Sequence, residues 1–326
     1  MKKTKADLLK KIHGGQVCQI VAAAARLGLA DLLWNEPKSA LKLAEDLKLD
    51  LPVLERLISA LVALFLLEEK DGAYHLTSEG LHLASQDEHS LKALASYKGS
   101  PFVWAAQGKL YDGVKAGTCP FELAFGVDLF TYLESHPEDA AIFQEAMASY
   151  EAQSSTKILD LYDFSQFNSF LDVGGGLGGF AKRIVKRHPH LNGSVLDLPS
   201  ATKQSAHQSI EFISGDFFIA VPGGYDAYLL RNILHDWSDD KCLLLLKNLH
   251  EACRAETKVL IFETFYERSH GKRLGKFSDL TMFTLTPGGK ERTLEEIQRL
   301  LDASNFKILN TFRTTSSKSL IEAVKT

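Results

Sequence analysis

The sequence predicts an α/β fold, a mostly parallel sheet with helices on both faces, preceded by a mainly helical domain of winged-helix type. Three observations predict it. The run Asp-Val-Gly-Gly-Gly-Leu-Gly-Gly (residues 172–179) follows apolar Phe170 and Leu171 and precedes the helical pattern Phe180, Ala181, Ile184, Val185, which reads as strand, glycine turn and helix. Further apolar runs at Ser194–Leu196, Ile210–Ile213, Tyr225–Leu230 and Val259–Phe262 each end in polar residues. Strands that end alike put those residues on one edge of a parallel sheet, the edge where open α/β sheets bind ligands. The first hundred residues, by contrast, read as helices followed by a hairpin.

In that first part, Val17–Leu33 is helical, Ser39 caps a short helix through Leu47, and Leu51–Leu66 forms another with Pro52 suited to its first turn. Leu67–Lys70 and Ala73–Leu76 flank Asp71-Gly72, a strong hairpin signal. Helices plus a β-wing invite a DNA-binding reading. Two features oppose it: acidic and basic residues roughly balance here, and the helix that would enter the groove is apolar around much of its circumference (Leu54, Leu57, Ile58, Leu61, Val62, Leu64, Phe65). That pattern suits a core and a subunit interface. The expected boundaries are a winged-helix-like domain over 1–100 and, over 101–326, a helical connector followed by the sheet domain. Within the connector, Glu138–Leu161 carries helical periodicity and sets Phe143 and Met147 one turn apart. That face fits a core or the wall of a substrate pocket equally well.

Composition bounds the rest. The chain has 326 residues, 45% of them hydrophobic, and a formal net charge of −4, enough for two domains and without the excess of positive charge that nucleic acid or an anionic membrane attracts. Cys18, Cys119, Cys242 and Cys253 are scattered, so no metal knuckle or redox pair is expected and the thiols read as reduced, in the cytoplasm. The lysines at the N-terminus precede an apolar stretch, but Gln19, Arg26 and Asp31 interrupt or close it, unlike a signal peptide. No run approaches the ~20 apolar residues of a membrane span.

What ligand does the glycine turn bind? Gly174, Gly176 and Gly179 also fit the dinucleotide pattern, with Asp197 at the end of the second strand. The glycines alone do not separate the two. This turn, however, arrives halfway along the chain, and Asp172 stands directly inside it, where a pyrophosphate would be repelled and an ammonium group attracted. S-adenosylmethionine has that ammonium and no phosphate. Asp197-Leu198-Pro199 then offers a carboxylate to both ribose hydroxyls, and Gly215-Asp216-Phe217-Phe218 an acid for the adenine amino group and a ring to cover it.

Asp-Val-Gly-Gly-Gly-x-Gly, Asp-Leu-Pro, Gly-Asp-Phe-Phe, His-Asp-Trp-Ser-Asp (residues 235–239) and Gly-Gly-Lys-Glu-Arg-Thr (residues 288–293) occur in that order. Together they resemble the S-adenosylmethionine-dependent small-molecule O-methyltransferases, a family that includes plant caffeate and flavonoid, acetylserotonin and bacterial polyketide O-methyltransferases. The resemblance covers nearly the whole chain. It implies a Rossmann-like class I methyltransferase domain behind a dimerisation domain, hence a homodimer through the N-terminal domain.

Methyl transfer to a hydroxyl needs alignment and removal of a proton. A phenol of pKa near ~10 is ionised in only about one molecule in a thousand at pH 7, a factor worth roughly 4 kcal/mol. A neutral imidazole is a suitable acceptor for that proton. The resemblance makes His235 the general base, with Glu263 and Glu291 orienting it. It implies that Asp172, Gly174, Gly175 and Gly176 line the methionyl part, Asp197 and Leu198 the ribose, and Asp216 and Phe217 the adenine. Arg231 stands where the family often has lysine, which keeps the charge and alters the geometry. Phe143, Met147, Asp236, Trp237, Met282 and Thr286 fall at or near substrate positions. Methionine and aromatic side chains there favour a small aromatic hydroxyl acceptor. Two alternatives stand beside this reading: a same-fold enzyme performing hydroxylation, decarboxylation or pericyclic chemistry, and a winged-helix DNA-binding regulator.

Overall fold

The computed structural model describes residues 4–202, 208–266, 273–313 and 318–326. The chain divides into two compact units, Met1–Trp104 with Glu145–Tyr150, and Ala105–Gln144 with Glu151–Thr326.

In the first unit the expected helices form, with two differences at their ends. The apolar pattern from Val17 to Leu33 is split into helices Gly14–Leu27 and Leu29–Leu33, because Gly28 takes a left-handed conformation (φ 69°) and closes the first. The helix that starts at Leu51 stops at Ala63 rather than Leu66, and Phe65 turns the chain at φ 60° into the hairpin. Ser39 and Asp50 cap their helices by accepting from the backbone amides of Lys42 and Val53. Strands β1 (Leu67–Lys70) and β2 (Ala73–Leu76) pair in antiparallel register around Asp71-Gly72. Leu54, Ile58 and Leu61 of the helix proposed for groove entry are buried in this unit's core with Leu29, Leu33 and Leu43.

The second unit is built on a seven-stranded sheet. Its strands are β3 (Ser169–Val173), β4 (Asn192–Asp197), β5 (Ile210–Ser214), β6 (Ala227–Arg231), β7 (Lys258–Thr264), β8 (Phe306–Arg313) and β9 (Lys318–Lys325). Their order is β5-β4-β3-β6-β7-β9-β8, with β3 to β7 parallel and β9 antiparallel to both neighbours. The central strands are buried on both faces, which is why they read as continuous apolar runs. Apolar clusters cover each face, one including Tyr228, Leu230, Leu245 and Leu249, the other Phe170, Phe180, Ile184 and Leu229. The chain runs outward from β3 through β4 to β5 and then returns to β6 on the other side of β3. That reversal opens a crevice at the carboxyl ends of β3 and β6.

Candidate active site

The glycine turn fills that crevice. Asp172, the penultimate residue of β3, is 2% exposed, and its Oδ1 has no hydrogen-bond partner among the described residues. Burial, reinforced by the nearby Glu151 and Asp197 and opposed by Arg231, pushes its carboxyl up to about 7. Gly174 follows at φ 71°, with Ile233 so close that a Cβ would collide with it. The turn is tied to β4 by Asp197, whose Oδ2 accepts from the amide of Gly176 at 2.7 Å and whose Oδ1 accepts from that of Leu198 at 2.7 Å. Burial raises this carboxyl too, to about 6, against those two bonds. After β5, Asp216 accepts from the amide of Phe218 at 2.8 Å, and Asn248 holds the carbonyls of Phe217 and Phe218.

A second group of side chains gathers where β6 and β7 end. Asn232 adopts φ 54°, a conformation asparagine tolerates, and donates its amide to Phe262. The turn aims the amides of Ile233 and Leu234 at Glu263 Oε1, 3.1 and 2.9 Å away. Glu263 Oε2 lies 3.7 Å from His235 Nδ1, while Glu291 Oε1 lies 3.2 Å from the same nitrogen. On the other side of the ring, Asp236 Oδ1 is 3.6 Å from Nε2. Ser278 donates its hydroxyl to Glu291, whose own amide donates to Asp279. Burial works to lower the imidazole's pKa, but the charges of Glu263 and Asp236 and the bond and charge of Glu291 outweigh it and raise it to about 10. Burial and mutual repulsion raise Glu263 and Asp236 as well. His235, Glu263 and Glu291 also offer three ligand atoms within 4.8 Å of one another, a set that could hold a cation. The raised pKa of His235 favours an imidazolium beside these carboxylates.

Arg292 enters the sequence reading only as part of the Gly-Gly-Lys-Glu-Arg-Thr motif. It is 2% exposed and holds the histidine turn, donating from Nη1 to the carbonyl of Leu234, from Nη2 to that of Trp237 at 2.7 Å, and from Nε to Asp239 at 3.0 Å. Lys290 donates its amide to the carbonyl of His235. A Cβ on Gly289 would sit 2.9 Å from that same carbonyl oxygen, so the Gly-Gly-Lys-Glu-Arg-Thr segment packs backbone to backbone against the His235 turn. The motif was the only signal available for Arg292.

Aromatic rings adjoin this turn. Phe130, from the helix Leu129–Ser135, stacks on Trp237 with centroids 5.0 Å apart and meets Phe143 edge-on at 6.2 Å. Phe217 and Phe218 face Trp237 edge-on at 6.1 and 4.7 Å. Phe130 carried no motif and was missed. Three sequence-predicted residues lie differently from the rest. Met147 falls in the segment Glu145–Tyr150, which clusters with the first unit. Thr286 is 2% exposed and its hydroxyl donates back to the Met282 carbonyl at 2.8 Å. The guanidinium of Arg231 is taken up inside the protein, 3.9 Å from Glu151 and over the ring of Phe180.

A mostly parallel seven-stranded sheet with a glycine turn over a buried acid is the class I methyltransferase fold, as the match to known methyltransferases shows. Comparison with known proteins makes the class specific. Residues 107–307 match the O-methyltransferase domain family and residues 9–85 the O-methyltransferase dimerisation domain. Similar proteins include the phenazine O-methyltransferase of Lysobacter antibioticus, 32% identical over 97% of this chain and 95% of that one. Another is the O-demethylpuromycin-O-methyltransferase of Streptomyces alboniger, 32% identical over 92% of this chain and 83% of that one. Human N-acetylserotonin methyltransferase, solved in complex with S-adenosylmethionine, superposes with a TM-score of 0.89 at 28% identity over 99% of each chain. The chain belongs to the S-adenosylmethionine-dependent O-methyltransferases and carries the family's dimerisation domain. Among the described residues no helix is long and apolar enough to cross a membrane.

Proposed function

We propose that this enzyme methylates a hydroxyl of a small planar aromatic molecule, with His235 as general base. The observation that carries the reading is the bracing of one imidazole by Glu263 and Glu291 beside stacked aromatic side chains. The relatives named for phenazine and puromycin substrates support a ring-bearing acceptor.

The buried Oδ1 of Asp172, without a hydrogen-bond partner among the described residues, suits an ammonium group, and the close backbone of the glycine turn suits a ligand without bulky phosphates. In this reading Asp172 and Gly174 to Gly176 receive the methionyl end of S-adenosylmethionine, Asp197 with Leu198 the ribose, and Asp216 with Phe217 the adenine. Bound there, the cofactor supplies an electrophilic methyl group on a positive sulfur. The protein's own part is to orient and deprotonate. Trp237, Phe130, Phe143 and Met282 would hold a flat ring by stacking and dispersion. The His235 ring, once neutral, takes the hydroxyl proton at Nε2, because Nδ1 faces the two glutamates. Those glutamates stabilise the imidazolium that results. We further propose that residues 1–100 form the dimer contact of a homodimer and 101–326 the catalytic part, and that the enzyme works in the cytoplasm, where its four free thiols stay reduced.

Incubation with methyl-labelled S-adenosylmethionine and a panel of phenols, hydroxylated heterocycles and aliphatic alcohols tests the reading. Labelled ethers from the aromatic members only are expected. Binding of S-adenosylhomocysteine with no methylated product from any acceptor would favour a non-methylating chemistry instead.

A further inference from the structure

Glu151 belongs to no motif, yet it is 7% exposed on the long helix Pro137–Leu159 and faces the glycine turn. Its carboxylate lies between two guanidiniums: Oε2 is 3.3 Å from Arg183 Nη2 and Oε1 is 3.9 Å from Arg231 Nη1. Arg183 comes from the helix that follows the glycine turn, and Arg231 from the end of β6. Oε2 sits where a side chain on Gly179, the first residue of that helix, would have to go. On the adjoining strand β3, Asp172 keeps a buried oxygen without a hydrogen-bond partner among the described residues, and Arg231 already acts on its charge. A guanidinium and an incompletely bonded carboxylate on neighbouring strands would close into a bidentate pair unless something held them apart.

We propose that Glu151 is a positioning residue for the amino-acid end of the cofactor: by holding Arg231 it keeps that cation off Asp172, whose carboxylate stays available to an ammonium group. The inference rests on the reading that Asp172 receives that ammonium. The cluster as a whole pairs two carboxylates with two guanidiniums, the charge pattern that complements an amino-acid zwitterion and offers nothing to a neutral nucleoside.

Calorimetric titration of the full-length protein with S-adenosylhomocysteine and with 5′-methylthioadenosine, which lacks the amino-acid end, tests it. Glu151→Gln is expected to weaken S-adenosylhomocysteine by about tenfold or more while leaving methylthioadenosine within about twofold. Glu151→Asp, which keeps the charge, recovers part of the loss and carries the same test if the glutamine variant does not fold. In an Arg231→Met background, where no guanidinium can occupy Asp172, adding Glu151→Gln changes binding by less than about twofold. Equal weakening of both ligands would show a merely structural role, and unchanged S-adenosylhomocysteine binding would also overturn the proposal. A wild-type protein that binds methylthioadenosine but gains nothing from the amino-acid end would instead sink the Asp172 assignment on which the proposal depends.

Discussion

Glu263 divides its two oxygens between two tasks. Oε1 accepts from the amides of Ile233 and Leu234, and Oε2 stands 3.7 Å from His235 Nδ1 with no hydrogen-bond partner among the described residues. One side chain therefore fixes the turn that carries His235 and contributes to the charge that raises its pKa.

Glu263→Gln should separate those tasks. The amide oxygen can still accept from the turn, but the charge that raises His235 is gone. The wild-type imidazole must lose its proton before it can accept one, so turnover should climb with pH through a limb above neutrality, toward the raised value of about 10. In the variant that limb moves to lower pH, and the plateau falls by about tenfold or more because the imidazolium is less stabilised. A pH–rate profile at saturating cofactor checks both.

Arg292→Met should disorder the histidine turn. The guanidinium's bonds to the carbonyls of Leu234 and Trp237 vanish, and buried acceptors cost about 1–3 kcal/mol each when left unpaired. We expect a lower melting temperature and a turnover reduced by at least about tenfold, with S-adenosylhomocysteine affinity changed by less than about threefold. Parallel calorimetry and kinetics would show the split.

Asp172→Asn should stabilise the fold while impairing binding. A carboxyl whose folded pKa is raised to about 7 binds protons more tightly folded than unfolded. Its stability contribution is most favourable below its ordinary value and is lost as pH rises through the raised one. At pH 8 the variant should therefore melt a few degrees above wild type, with little difference near pH 4, and bind S-adenosylhomocysteine more weakly. Melting curves across pH test the sign.

Treatment with a chelator should leave activity unchanged. The raised pKa of His235 favours an imidazolium that offsets part of the carboxylates' charge without a metal. Loss of turnover on chelation, restored by a divalent ion, would assign the three-residue set to a metal.

Much of this was legible in the sequence, for reasons that differ by element. The glycine turn and the polar ends of β3, β4, β6 and β7 declare themselves, because close backbone approach demands glycine and doubly buried strands demand apolar runs. The antiparallel strands β8 and β9 went unread. Lys307, Asn310 and Arg313 interrupt any apolar run in β8, as an edge strand permits. The break at Gly28 hid inside an otherwise helical apolar pattern. Arg292, Phe130 and Glu151 act through carbonyls, a ring and charges brought close only by folding, and no local pattern announces such partners.

The central claim is that His235 removes the acceptor's proton, and the His235→Ala variant measures it most directly when turnover and S-adenosylhomocysteine affinity are determined on the same preparation. Turnover should fall by about 10²-fold or more while affinity stays within about threefold. An unchanged turnover would contradict the account and place the base elsewhere.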